Sequence, residues 1–262
     1  MRARIRFSKF GSMKFLGHLD VMRYFQKAIR RTDLDVCYSE GFHPHQIMSF
    51  AQPLSVSLTS DGEYFDVEFR TEHSEAELLE KLSAVMGDEF AVSRATRLND
   101  YVKHTKKVTS MSLICAAAYY IEAKPKVPVS LKHIRSFAEA ETFPVLRKTK
   151  SSEREFDLMS GVRELWLLQE GQPVCLRAAE PSLFTEELWR TGLAHWEGEP
   201  SCAGFACLVD AGSEKNVSAD LVAGAVSQIA GIPYRGTDYH IHRMELFGTD
   251  GGKAVPLWKI VL

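Results

Sequence analysis

SLTSDGEYFDVEFR, Ser57 to Arg70, joins an Asp-Gly pair to a strict alternation in which Phe65, Val67 and Phe69 oppose Asp66, Glu68 and Arg70. A period of two is the pattern of a half-buried strand, and Asp-Gly suits a tight hairpin turn. The expectation is a hairpin: one strand within QIMSFAQPLSVSL (Gln46–Leu58), a turn at SDGE, and a second strand over EYFDVEFR (Glu63–Arg70).

Upstream, Ala3, Ile5 and Phe7 alternate with Arg2, Arg4 and Arg6, which predicts a first strand with a basic outer face. Leu19, Met22, Phe25 and Ile29 then recur at helical spacing, with Arg23, Lys27, Arg30 and Arg31 on the other side. Downstream, Ser74 stands three residues before Glu77 as a capping pair, Leu78, Leu82 and Val85 follow, and Gly87 marks a stop. FAVSRATRL (Phe90–Leu98) closes the series as a strand.

The order β-α-β-β-α-β over residues 1–98 is that of a ferredoxin-like sandwich, a four-stranded antiparallel sheet with two helices on one face. Asn99–Ser110 is polar and basic without apolar periodicity, so it is expected to connect this domain to a second over 111–262. In that half, strand-like SLICAAAYYIEA, RELWLLQ, VCLRAA, AGFACLVDA and DYHIHRMELFG are interspersed with helices capped by Ser130 and Ser218. The succession of types repeats that of the first half with longer insertions, which points to a second, similar α+β domain and a diverged duplication.

The chain has 262 residues, 45% hydrophobic and 25% charged, with a formal net charge of -2. That length accommodates two units of about 100–150 residues, and that balance excludes a protein basic throughout, so any surface for nucleic acid must be local. No apolar run reaches the ~20 residues of a membrane helix, and MRARIRFSKF lacks a signal core. A cytoplasmic protein with no membrane contact is expected. The five cysteines are scattered, as free thiols are. Only Cys202 and Cys207 are close, without the further ligands of a zinc or iron–sulfur loop.

SEGFHPH (Ser39–His45) and GHLD (Gly17–Asp20) hold the residues richest in chemistry. Glu40, His43, His45, His18 and Asp20 are types that bind divalent metals, yet no histidine pair has the i, i+4 helical spacing of a standard site. Three readings stand: a metal site, a polar ligand or catalytic pocket, and a structural loop in which Gly41 supplies positive φ. His18, at the start of a helix, is of the type that serves as a general acid–base near neutral pH. Arg23, Lys27, Arg30 and Arg31 are either a solvated helix face or a patch able to neutralise phosphates. His240 and His242 share one face of the last strand, as a buried hydrogen-bonded pair or a sheet-surface patch would. The aromatics near Trp189 and Trp196 read as packing.

From GHLDVMRYF through SEGFHPH to GEYFDVEF, the first hundred residues resemble the radical-SAM-linked protein family, a bacterial domain of unknown function encoded beside or fused to a radical SAM protein with a cobalamin-binding-type domain. The matching positions are His18, Leu19, Asp20, Arg23, Arg30, Arg31, Ser39, Glu40, Gly41, Phe42, Pro44, His45, Pro53, Leu54, Glu63, Tyr64 and Asp66. His43 departs from the family's asparagine, which makes His18 and His45 the stronger site candidates. The C-terminal half carries only a faint echo, in NVSADLVAG and at Ile241–Arg243.

The resemblance implies a radical SAM protein as partner and, from the ribonuclease and ribosomal-protein genes found near family members, RNA or the ribosome as the object handled. The chain has no CxxxCxxC motif, so it holds no radical SAM cluster of its own, and no cofactor or metal is expected. The expected function is an accessory or substrate-presenting protein for a radical SAM enzyme. RNA would lie on Arg23, Lys27, Arg30 and Arg31, and a pocket would form from His18, Asp20, Glu40, His45 and Glu63. The alternatives are a metal-independent endoribonuclease using His18 and a protein-interaction scaffold.

Overall fold

The structure is a computed structural model that describes residues 1–99, 108–148, 153–169, 172–198, 204–213 and 215–261. Most of the connection expected at 99–110, and Cys202 of the close cysteine pair, lie outside these residues.

The first half runs β1 (Arg2–Lys9), α1 (His18–Arg31), β2 (Met48–Phe50), β3 (Thr59–Glu68), α2 (Glu75–Ser83) and β4 (Phe90–Leu98). Its strands lie in the order β4-β1-β3-β2, each antiparallel to its neighbour. Ala3, Ile5 and Phe7 point to the side covered by Val21, Phe25 and Ile29 of α1 and Leu78 and Leu82 of α2. Phe25 lies 4.5 Å from Phe7 and 4.8 Å from Phe65, ring centre to ring centre. Each such buried ring contributes about 1.5–3 kcal/mol by leaving water. The Ser74 hydroxyl accepts the Glu77 amide, so α2 starts where its cap predicts.

The second half runs α3 (Ser110–Leu113), β5 (Ile114–Ala123), α4 (Leu131–Glu139), β6 (Pro144–Lys148), β7 (Glu153–Asp157), β8 (Val162–Gln169), β9 (Gln172–Arg177), α5 (Glu186–Thr191), β10 (Gly204–Asp210), α6 (Ala219–Ile229), β11 (Tyr239–Asp250) and β12 (Lys253–Pro256). The order β11-β5-β10-β8, again antiparallel throughout, matches β4-β1-β3-β2 position by position. Helices α4 and α6 occupy the places of α1 and α2, and Ile134, Phe137, Val222 and Val226 pack in one core with Ile121 and Leu165. The strand expected at VCLRAA is β9, while the β6–β7 hairpin, α5 and β12 are additions that the sequence patterns did not reveal. The fold is thus mixed α+β, built on a large, mostly antiparallel sheet.

One sheet passes through both halves, because β11 pairs with β3 in parallel at His242 opposite Thr59 and Arg243 opposite Ser60. Here the Asp-Gly turn expected from the sequence is corrected: β3 continues straight through Asp61 and Gly62. A Cβ on Gly62 would lie 2.5 Å from the Glu245 Cα and 2.7 Å from the Met244 carbonyl oxygen. Glycine serves there to let two backbones meet, and the chain reverses instead in the loop between Phe50 and Thr59. The strand expected over Gln46–Leu58 shrinks to Met48–Phe50, since Pro53 offers no amide and Ser57 turns to a φ of 73°.

The basic outer face expected for β1 is also corrected. Arg2, Arg4 and Arg6 are buried. Arg4 Nε donates to Asp66 Oδ1 at 2.9 Å, and its Nη1 donates to the carbonyls of Leu257 and Ile260 at 2.8 and 3.0 Å. Arg6 Nε donates to Glu245 Oε2 at 3.2 Å. Alternation identified the strand, but its charged side meets the C-terminal segment rather than water.

Candidate functional site

Helix α1 carries the cationic face. Its buried stripe of Val21, Phe25, Ala28 and Ile29 turns Arg23, Lys27, Arg30 and Arg31 outward, away from the core. Arg23 Nη1 reaches the exposed Asp20 carboxylate at 3.2 Å, a pair that water screens. Arg30 donates to the Gln26 carbonyl at 3.2 Å and Arg31 to the Val85 carbonyl.

His18 opens the same helix and stands edge-on to Phe50 with ring centres 5.4 Å apart. It lines a small pocket with Lys9, Gln52 and Glu63. Burial lowers the Lys9 pKa against the opposing pull of Glu63. Two of the expected pocket members, His18 and Glu63, are therefore brought together.

Glu40 and His45 are elsewhere. SEGFHPH is an exposed loop closed on itself: the Ser39 amide donates to the His45 carbonyl at 2.8 Å, and the His45 amide donates to the Ser39 hydroxyl at 3.1 Å. That hydroxyl also lies 2.9 Å from His45 Nδ1. Gly41 has a φ of 112°, as the turn requires, and Phe42 is fully exposed. Gln46 ties the loop to the middle of α1 through the Gln26 carbonyl at 3.2 Å. Neither Glu40 nor His45 lines the pocket of His18.

What the sequence reading missed is a buried polar seam where β3 meets β11. Thr59, Asp61 and Glu63, spaced two apart on β3, take partners from His242 and Arg243 on β11 and from His195. Arg243 Nη1 donates to both Glu63 oxygens, at 2.8 and 3.0 Å, and Arg243 Nε to the Tyr119 hydroxyl at 3.2 Å. His242 Nδ1 lies 2.7 Å from the Thr59 hydroxyl and its Nε2 3.1 Å from Asp61 Oδ2, while Asp61 Oδ1 lies 2.6 Å from His195 Nδ1. With Nε2–H donating to the carboxylate, Nδ1 is left to accept the hydroxyl proton of Thr59.

Burial pushes the Asp61 carboxyl up, but the hydrogen bond and charge interaction with His242 and the bonds from His195 outweigh it and hold the group well below the usual carboxylate range. Beside it, burial raises the Glu245 carboxyl against the pull of Arg6, and the Tyr64 hydroxyl donates to Glu245 at 2.5 Å. The alternation of Thr59, Asp61 and Glu63 is visible in the sequence, as is YHIHR, but nothing local joins two segments about 180 residues apart. Among the described residues, no group of three or more His, Cys, Asp or Glu is arranged to hold a metal ion, and no helix is long and apolar enough to cross a membrane. Cys207 is buried on β10, where burial raises its thiol to about 12.

No curated protein matches the chain. Residues 2–186, which take in the cationic helix, the SEGFHPH loop and β3, match the family described as an uncharacterised protein conserved in bacteria, and the chain belongs to that family, DUF2344.

Proposed function

We propose that the protein is a cytoplasmic accessory factor that holds RNA, or a ribonucleoprotein, for a radical SAM enzyme. The observation that carries the RNA part is the contrast among the N-terminal cations. Arg2, Arg4, Arg6 and Lys9 are buried, whereas Arg23, Lys27, Arg30 and Arg31 stand together on the outer face of one helix. Surface guanidinium and ammonium groups in that density displace counterions from a phosphate backbone, a gain that buried, paired arginines cannot give. The radical SAM partner rests on the resemblance carried by GHLD and SEGFHPH; the fully exposed Phe42 at the tip of that loop suits contact with another protein. We read each half as a ferredoxin-like sandwich, from the shared strand order and paired helices.

The test is purification of the full chain from its native host, followed by RNA-binding titrations across salt. A radical SAM protein should co-purify. Replacing Arg23, Lys27, Arg30 and Arg31 by Ala should weaken binding and lower the log–log salt slope by about 0.7 for each lost single-strand phosphate contact. Unchanged affinity and slope would remove the RNA reading and leave a protein scaffold.

A second reading, an endoribonuclease with His18 as general acid–base, is favoured by one observation: His18 shares its pocket with Lys9 and Glu63. Cleavage of RNA by the purified chain, lost in His18→Ala, would establish it.

A further inference from the structure

Where the start of β11 passes the loop entering β3, the fold leaves a cleft of about 540 Å³, lined by Lys14, Phe15, Thr59, Lys124, Trp196 and His240 among others. It is separate from the α1 face and from the pocket of His18. Both halves supply its walls.

Two ammonium groups reach it from opposite halves. Lys14 Nζ pairs with Glu197 at 2.7 Å, and Lys124 Nζ donates to the Thr237 carbonyl at 2.6 Å. An ammonium has three donors, so each retains capacity for an anion. His240 lies in the field of both: burial lowers its pKa first, then the charges of Lys124 and Lys14, against the weaker pull of Glu197. It is therefore a neutral imidazole at pH 7, able to donate one hydrogen bond and accept another. Of the acids on the wall, Glu197 is held by Lys14, and Asp220 accepts the Tyr234 hydroxyl at 2.5 Å.

The apolar part of the lining is aromatic and open. Trp196 is held edge-on to Tyr120, His242 and His240 at ring distances of 4.8, 5.8 and 6.1 Å, which fixes its plane. Phe15 and Val56, 63% and 51% exposed, stand on the same wall, where large apolar side chains in water mark a surface that something covers. Ser57 adds a left-handed φ of 73°, with its amide donating to the Lys14 carbonyl at 2.8 Å. A non-glycine residue held there is strained, a recurring feature of ligand sites.

Aromatic side chains, two ammonium groups and a neutral imidazole on one lining match a planar heterocycle that carries an anion. We propose that this cleft binds a nucleotide unit, with its base against Trp196 and Phe15 and its phosphate between Lys14 and Lys124. The shared chemistry is a nucleobase with a phosphate, from either a free mononucleotide or a residue of a single RNA strand. The volume of the cleft falls within the roughly 300–1,000 Å³ of small-molecule sites.

The experiment is calorimetric titration of the full chain with AMP, adenosine, inorganic phosphate and a twelve-residue oligoadenylate. AMP or the oligonucleotide should bind at least tenfold more tightly than adenosine or phosphate alone. Lys14→Ala and Lys124→Ala should each weaken that binding about fivefold or more, and Trp196→Phe should weaken it less, with melting temperatures kept. AMP binding as tight as the oligonucleotide's identifies a free nucleotide as the source, and oligonucleotide binding without AMP binding identifies a strand. The variant lacking the four α1 cations separates the two sites: it should lose oligonucleotide affinity through α1 and keep the sensitivity of the remaining binding to Lys14 and Lys124. Absence of binding by both AMP and the oligonucleotide at millimolar concentration, or binding indifferent to both lysine variants, overturns the proposal.

Discussion

Arg243 grips Glu63 with one guanidinium nitrogen on both carboxylate oxygens, at 2.8 and 3.0 Å, across the line where the two halves of the chain meet. The two residues are 180 positions apart in sequence and both are buried. Removing one partner leaves the other charged in a medium that solvates it poorly. Arg243→Met and Glu63→Gln should each lower unfolding stability by about 3–5 kcal/mol, and the double variant should lose much less than the sum. Urea unfolding of the three variants measures this coupling. Additive losses would show that the pair is not a unit.

The close approach at Gly62 makes a second expectation. Its missing Cβ is what allows β3 and β11 to touch, so Gly62→Ala should destabilise by about 2–3 kcal/mol through overpacking against Glu245 and Met244. Gly17, at the start of α1, has a φ of -74°, and a Cβ added there would meet nothing within 4 Å. Gly17→Ala should therefore change stability by less than about 1 kcal/mol, since the cap preference that alanine loses is offset by the entropy it removes from the unfolded chain. Thermal melts of the two variants side by side give the contrast.

Acid should loosen the seam through Asp61. Its carboxyl titrates lower in the folded chain than in the unfolded one, so the unfolded state takes up the proton first as pH falls. Stability from this group is complete above the unfolded value of about 4 and drains away below it. The melting temperature of the natural chain should drop on going below about pH 4, and Asp61→Asn should start lower and show a shallower drop. Parallel slopes for the two proteins would place the acid sensitivity in other carboxylates.

SEGFHPH should behave as an exposed recognition loop rather than as a prop for the fold. His43→Asn and His45→Ala touch side chains in water, and among the described residues the hydrogen bonds of His45 stay within its own loop. Both variants should melt within a degree or two of the parent, since surface changes are usually within about 0.5 kcal/mol. Loss of co-purifying partner protein in His45→Ala but not in His43→Asn would mark His45 as a contact residue. Equal retention by both would move the contact to Phe42 or away from the loop.

The elements of the fold are legible in the sequence wherever one face is apolar and the other wet. Phe25 and Ile29 mark α1, and Leu78 and Leu82 with the Ser74 cap mark α2. Reading fails where an element is covered on both sides. Arg2, Arg4 and Arg6 alternate as surface residues do, yet all three are buried, Arg4 and Arg6 against residues from the far end of the chain. Asp61-Gly62 carries the signature of a turn, because a glycine that is needed for positive φ and a glycine that is needed for its missing Cβ look alike in one dimension. Of the expected site residues, His18 and Glu63 share a pocket, while Glu40 and His45 occupy a separate loop whose position depends on the short pairing of β2 with β3. The seam itself was hidden because each of its hydrogen bonds joins residues more than a hundred positions apart.

The parallel contact of β11 with β3 also sets an order of events during synthesis. When the first hundred residues have emerged, all four strands of the first unit exist, but Arg6, Asp61 and Glu63 still lack Glu245, His242 and Arg243. The nascent domain then presents hydrated charges along the very strand that will later be paired, and charge on an open strand discourages union with neighbouring chains on the same message. The last long strand to be made is thus the one that closes the first unit, so the chain guards its own unfinished edge until the piece that belongs there arrives.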